Sequence, residues 1–244
     1  MDDRRSEPWS RREFLGGLTL AGTAGLLGVQ PGAAAADPAP ETAKLRLTYT
    51  QPPDAPCLAP EFFAEELLHR EGFTDVQYIK TSAVDIAKSL TRTTDMTMHT
   101  PGPLIMAVDA GEPIVMLGGV HVGCFELFGT DRVRSIRDLK GKSVAAGPLG
   151  SGRQVFMASM LAYVGVDPRK NVNWITDRPA VAMRLLAEGK IDAFMSFPPE
   201  PQELRSKKIG HVLVNTMMDR PWSQYFCCKI SSAVVSLRSR RRMI

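Results

Sequence analysis

The stretch Gly150-Ser151-Gly152-Arg153 gathers the most chemistry into the fewest residues of this sequence. Two glycines flank a hydroxyl where an apolar helix begins. Backbone N–H groups and the partial positive charge of a helix start would therefore be presented together, an arrangement that holds an anion. Arg153 adds a guanidinium fork suited to the same kind of group. Three other loops pair polar donors or an aromatic ring with Gly or Pro rigidity: 51–57, 100–103 and 197–200. From these loops Gln51, Thr100, Gly102 and Phe197 are expected to touch ligand, with Gly150, Ser151, Gly152 and Arg153 from the first. In an open α/β sheet, ligands bind beyond the carboxyl ends of the strands, which is where all four loops fall. The alternative is that they are ordinary connections, and a Thr before a helix is common without any ligand.

Catalysis is not written here. No Gly-x-Ser-x-Gly elbow and no His-Glu-x-x-His helix occurs. His69 falls on a surface helix and is expected to be solvated. His99 and His121 end strands, where a partly buried structural role is expected and approach to the cleft is the alternative. His211 opens a strand with no partner assigned. The four cysteines, Cys57, Cys124, Cys227 and Cys228, match no zinc spacing and read as small buried residues. The twelve methionines read as core filler. Trp174 and Trp222 are expected to pack in the core. No catalytic residue, metal or cofactor is expected.

Positioning such loops requires alternating strands and helices. Leu45–Tyr49 alternates as a strand, and a helix is predicted from Pro60 to about Glu71, with Phe62, Phe63 and Leu67 inward and Gly72 as its stop. Strands follow at 76–79, 95–99 and 114–117, with helices opened by Ser82/Asp85 and by Thr100-Pro101. The same alternation resumes after Asp131. Ser135 and Asp138 form a capping box, Gly141 turns the chain into a strand at 143–146, and a helix spans Ser151–Val164. A strand at 172–176, a helix at 179–188, and strands at 191–197 and 211–214 complete it. Two α/β units of similar size, each with a mostly parallel sheet covered on both faces, are implied. No sequence repeat relates them.

Ser10-Arg11-Arg12-Glu13-Phe14-Leu15, a weakly apolar run and Ala34-Ala35-Ala36 read as a twin-arginine signal peptide over residues 1–36, cleaved near Ala36 and addressing the chain to the periplasm. A flexible leader at 37–43 follows. The net charge of +4 is concentrated in residues 229–244, whose cations have no acidic counterpart, so the body is close to neutral and offers no nucleic-acid surface.

Asp138-Leu139-Lys140-Gly141-Lys142, its following strand and the Gly-Ser-Gly helix start resemble the extracytoplasmic substrate-binding proteins of ABC importers, in the nitrate/sulfonate/taurine and thiamine-precursor-like group. Ala187-Glu188-Gly189-Lys190-Ile191-Asp192-Ala193 is similar to that group's second-lobe signature, and Ala110-Gly111-Glu112-Pro113-Ile114-Val115 to its first-lobe counterpart. The resemblance implies a periplasmic binding protein-like type II fold, with two α/β lobes joined by paired hinge strands. Lobe 1 would span 44–124 and lobe 2 would span 125–224. The segments 124–128 and 223–228 would cross between lobes, and 225–244 would be a return hinge strand plus an atypical basic tail. The family normally adds further helices after the second crossing. Here Lys229–Ile244 is expected to bury little. The implied function is capture of a small, anionic or polar organic solute for delivery to an ABC permease, by a monomer exported through the twin-arginine machinery. The alternatives are an exported enzyme on the same fold and a truncated, non-functional product.

Overall fold

A computed structural model of the chain describes residues 40, 42–50, 59–82 and 84–233, with strand backbone alone at 50 and 226–233. The signal peptide, most of the leader, Gln51, Cys57 and residues 234–244 lie outside the described residues.

The chain forms β1 (Lys44–Thr50), α1 (Ala59–Phe63), α2 (Glu65–Arg70), β2 (Asp75–Thr81), α3 (Ile86–Arg92), β3 (Met96–His99), α4 (Pro101–Asp109) and β4 (Ile114–Val122). It then forms β5 (Glu126–Gly129), a one-turn helix at Ile136–Leu139, β6 (Lys142–Ala145), α5 (Gly152–Tyr163), β7 (Val172–Ile175) and α6 (Pro179–Ala187). β8 (Ala193–Ser196), α7 (Glu200–Ser206), β9 (His211–Asn215), a single turn at Trp222–Gln224 and β10 (Phe226–Ala233) follow.

Two five-stranded sheets result, in the orders β2-β1-β3-β10-β4 and β7-β6-β8-β5-β9. Each sheet has one antiparallel strand, second from an edge: β10 in the first and β5 in the second. The parallel pairs β1/β2, β1/β3, β6/β7 and β6/β8 account for the mostly parallel character expected.

The two sheets repeat each other in structure although not in sequence. Asp95, just before β3, accepts the backbone N–H of Arg46 in β1 at 2.8 Å, and Asp192, just before β8, accepts that of Ser143 in β6 at 3.0 Å. An arginine holds each carboxylate at 2.8 Å: Arg46 forks onto Asp95 through Nε and Nη2, whereas Arg132 gives Asp192 its Nε and sends Nη2 to the Gly189 and Ile191 carbonyls. Burial pushes each carboxyl's pKa up, but these donors outweigh it and hold both below the usual range.

The core follows from the strand period of two. In the second sheet Val144 and Met195 join Met157, Met160 and Leu161 of α5 on one face. Their neighbours Ala145 and Phe194 join Ala182, Leu186 and Leu204 on the other. In the first sheet Ile86, Leu90, Leu104 and Ile114 pack together, and Leu45, Leu47 and Phe73 form a separate cluster.

Three expectations are corrected. The first helix is interrupted at Ala64 but keeps its register, because Ala64 stays in right-handed helical backbone and the hydrogen bonds from Ala64 N to Pro60 O and from Leu68 N to Ala64 O run through it. The face turned inward is that of Glu61 and Leu68. Phe63 and Leu67 point outward, and Leu68 packs inward with Phe73. Phe62 instead stacks on Tyr78 with centroids 5.3 Å apart. A helix the sequence reading missed, α7, begins at Glu200 directly after Pro198-Pro199. The third correction is at the chain's end. Lys229–Ala233 is no tail: it lies inside β10, hydrogen-bonded between β3 and β4. The arginines of 238–242 dominate the composition of this segment and hide the short strand that precedes them.

The crossings between sheets are short. Gly123 and Cys124 both have left-handed backbone, φ 87 and 85°, and turn β4 toward β5. Gly123 takes this without cost, whereas Cys124 carries strain of about 1 kcal/mol. Pairing at the crossing is made by β4 and β10, with Phe226 opposite Val122, while Glu126–Gly129 has already joined the second sheet.

Candidate functional site

Two helix starts meet where the sheets adjoin. Thr100 follows β3 and precedes α4, and Gly152 opens α5. Gly152 has no side chain because there is no room for one: a Cβ there would overlap the Cβ and Oγ1 of Thr100. Gly102 is similarly pressed, with Val155 Cγ1 2.8 Å from where its Cβ would be. These two glycines let α4 and α5 touch.

Beside this contact lies a cavity of about 380 Å³. Its floor is Thr100, Gly102 and Gly152, its α5 wall is Val155, Phe156 and Ser159, and the crossings contribute Phe125, Thr216 and Trp222. Ile105 and Met106 from α4, with Tyr163 and Tyr225, form a half-open rim. The walls are joined by an aromatic ladder. Phe197 packs on Phe125 at 5.4 Å, Phe125 on Phe156 at 5.7 Å, and Phe156 edge-on to Trp222 at 6.4 Å. Tyr163 is edge-on to Trp222 at 5.1 Å. Such perpendicular contacts are favourable between rings.

The structure thus brings Thr100, Gly102 and Gly152 together at the cavity. It disposes of the other predicted contacts differently. Ser151 is buried and caps α5, accepting the Gln154 N–H at 3.4 Å. The Gly150 N–H, expected to be bare, donates to Gln154 Oε1 at 3.0 Å, and the Ser151 N–H donates to Pro148 O at 3.1 Å. Arg153 turns away: its two terminal nitrogens fork onto Glu200 at 2.9 and 3.1 Å, and its guanidinium lies over the Phe194 ring. Glu200 also accepts the Phe197 N–H at 2.8 Å. This network fixes the loop after β8 and leaves Phe197 behind the cavity wall.

Three of the hydroxyls near the cavity are engaged by neighbours. Thr216 Oγ1 donates to Phe125 O at 2.8 Å and accepts its N–H at 3.0 Å. Ser159 donates to Phe156 O at 2.7 Å. Thr100 Oγ1 caps nothing and instead lies 3.0 Å from Nδ1 of buried His99. Among the described residues, no group of three or more metal-ligating side chains occurs. His121 Nδ1 and Cys124 Sγ lie 3.6 Å apart outside the cavity.

The sequence reading missed Val155, Phe156, Ser159 and Tyr163. Their spacing marks one face of α5, a signal that was present but indistinguishable from a core-facing stripe. It also missed Glu61. This carboxylate is 8 % exposed with neither oxygen hydrogen-bonded, and burial pushes its pKa up to about 8.

Comparison with family models is decisive: residues 39–228 match the NMT1-like family. The chain belongs to the NMT1-like family. A search of curated proteins returns no match. Among solved structures, this NMT1-like protein is similar to the alkanesulfonate-binding protein SsuA from Xanthomonas axonopodis pv. citri bound to MOPS. Identity is 21 %, TM-score 0.60, and 82 % of this chain and 68 % of that one are covered. The periplasmic aliphatic sulphonate binding protein SsuA from Escherichia coli gives 18 %, 0.59, 82 % and 68 % respectively. The periplasmic nitrate-binding protein NrtA from Synechocystis PCC 6803 gives 16 %, 0.61, 83 % and 58 %. At these identities the likeness is one of fold: the chain has the periplasmic binding protein fold, as the resemblance implied.

Proposed function

We propose that this NMT1-like protein is the periplasmic solute-binding component of an ABC importer. It captures a small organic solute where its two sheets adjoin and presents the closed form to a membrane permease. The observation that carries this reading is the cavity of about 380 Å³ beside the Thr100–Gly152 contact, within the size range of small-molecule sites. It is floored by helix starts from both sheets and walled by both crossings, so a bound solute would couple to rotation about Gly123–Cys124 and the return crossing. We assign residues 1–36 to twin-arginine export, 44–124 and 125–224 to the two lobes, and a monomer to the working state. Binding, not turnover, is the activity proposed.

A thermal-shift panel of alcohols, aromatics, sulfonates, nitrate, carboxylates, amino acids and pyrimidines tests it. A solute held only by the folded state must raise Tm. Small-angle scattering of the protein with any hit should show a smaller radius of gyration. If nothing in the panel moves Tm, the binding role is refuted, and chemical conversion of a hit would point to an enzyme.

A further inference from the structure

The sequence reading expected an anionic or polar solute, yet the cavity is built for something else. Its walls are aliphatic and aromatic, and among its described lining residues there is no Lys, Arg or His. The nearest expected cation, Arg153, is 18 % exposed and neutralised by the bidentate Glu200, itself 11 % exposed at the side chain. The helix start that would cradle an oxyanion is narrowed on three sides, which leaves the Gly152 and Arg153 N–H groups as its donors. Thr100 fills the space over Gly152, Ser151 caps the first turn, and the Gln154 side chain takes the Gly150 N–H. The hydroxyls of Ser159 and Thr216 donate to backbone carbonyls. An anion entering here would shed its hydration and meet only neutral donors, namely those two N–H groups, the Trp222 indole and the rim tyrosine hydroxyls, with no cation to offset the loss. An uncharged ring or alkyl chain gains instead, because its apolar surface leaves water for apolar walls. It also gains perpendicular contacts from Phe156, Trp222 and Tyr163.

We propose that this site selects an uncharged, mainly apolar organic solute, with an aromatic ring or short alkyl body, and discriminates against free oxyanions and sulfonates. The inference rests on the solute-binding role and names the class of solute.

Two matched pairs separate charge from shape: benzyl alcohol with benzenesulfonate, and 1-hexanol with 1-hexanesulfonate, with nitrate as the smallest anion. Titration calorimetry on the purified full chain should give the uncharged member at least tenfold tighter binding in each pair, and no heat with nitrate. Tighter binding of either sulfonate, or of nitrate, overturns the class while leaving the binding role intact. Failure of both alcohols to bind also overturns the class, and only silence across the wider thermal-shift panel removes the role itself.

Ser159→Arg places a guanidinium on the wall at an exposed helix position. It should reverse the preference at least tenfold toward benzenesulfonate. Ile105→Trp, at the exposed rim, should weaken benzyl alcohol at least tenfold by filling the cavity mouth. Circular dichroism checks that both variants remain folded. If both fold and neither changes any affinity, the solute is held elsewhere and the inference is wrong.

Discussion

Replacing Glu61 by Gln tests whether a carboxyl is held neutral under the helix that precedes β2. Neither Glu61 oxygen has a hydrogen-bond partner, and burial lifts its pKa from 4.5 to about 8. The folded state therefore holds a proton that the unfolded chain releases. Below the unfolded value both states are protonated and the group contributes nothing unfavourable. As pH rises from 4.5 toward 8 the unfolded state is increasingly favoured, so stability falls. The slope is about 1.4 kcal/mol per pH unit, so at about pH 7 the full cost would be about 3 kcal/mol. Local relaxation and water entry reduce it, leaving an expected range of about 1–3 kcal/mol. The amide side chain introduced by Glu61→Gln has nearly the same shape and cannot ionise. Urea melts of both proteins should coincide near the carboxylate's unfolded pKa and diverge as pH rises, with Glu61→Gln the more stable by about 1–3 kcal/mol at neutral pH. Taking the difference cancels every other titration. Parallel stability curves across this range, or a variant weaker at neutral pH, would refute the account of Glu61 as a neutral, unpartnered acid.

Three further outcomes are expected. A chain ending at Cys228 loses most of β10 from between β3 and β4, so the first sheet should fail to form while the second, with strands only from 126–215, still can; calorimetry should show the full transition replaced by a smaller one, and an unchanged melt would refute the role of β10. Asp192→Asn removes a charge that accepts from Ser143 N and Arg132, costing about 1–3 kcal/mol at neutral pH. Because the Asp192 pKa is depressed, its contribution is present above the ordinary carboxylate range and fades as pH falls, so the variant should show a flatter acid limb in denaturant titrations. Gly152→Ala drives a methyl into Thr100 and should cost about 1–3 kcal/mol as overpacking; pairing it with Thr100→Gly should restore the melting temperature, and an unrescued loss would show that the clash lies elsewhere.

The element order was largely legible because caps and turns mark it locally. Ser135 and Asp138 form the expected capping box, and Gly72, Gly111, Gly141, Gly165 and Gly189 all take the positive φ that their turns require. What could not be read depends on partners far along the chain. Arg153 has the spacing of an anion ligand, but Glu200, 47 residues on, decides where its fork goes. Phe62, Phe63 and Leu67 look like an inward stripe, but the contact of Leu68 with the Phe73 cluster and the burial of Glu61 turn another face inward. The start of β10 was legible as the return strand at 223–228, but its continuation from Lys229 was obscured by the arginines beyond it, and β3 and β4 gave no local hint that a strand runs between them. The repeat between the halves rests on strand order and on one aspartate in each, which is too sparse for sequence comparison to register.

That strand order also sets a timetable for folding. The second sheet draws all of its strands from Glu126–Asn215, an unbroken segment, so it can close on itself as soon as that segment is available. The first sheet cannot. His99 in β3 pairs with Lys229 in β10, about 130 residues later, and the loop between them must contain an entire second unit. Until β10 arrives, β3 and β4 each present an open hydrogen-bonding edge that other chains can join. Pairing this remote makes folding slow compared with that of locally connected domains. During synthesis the first half of the chain is therefore made early and finished last, with those edges open throughout the interval.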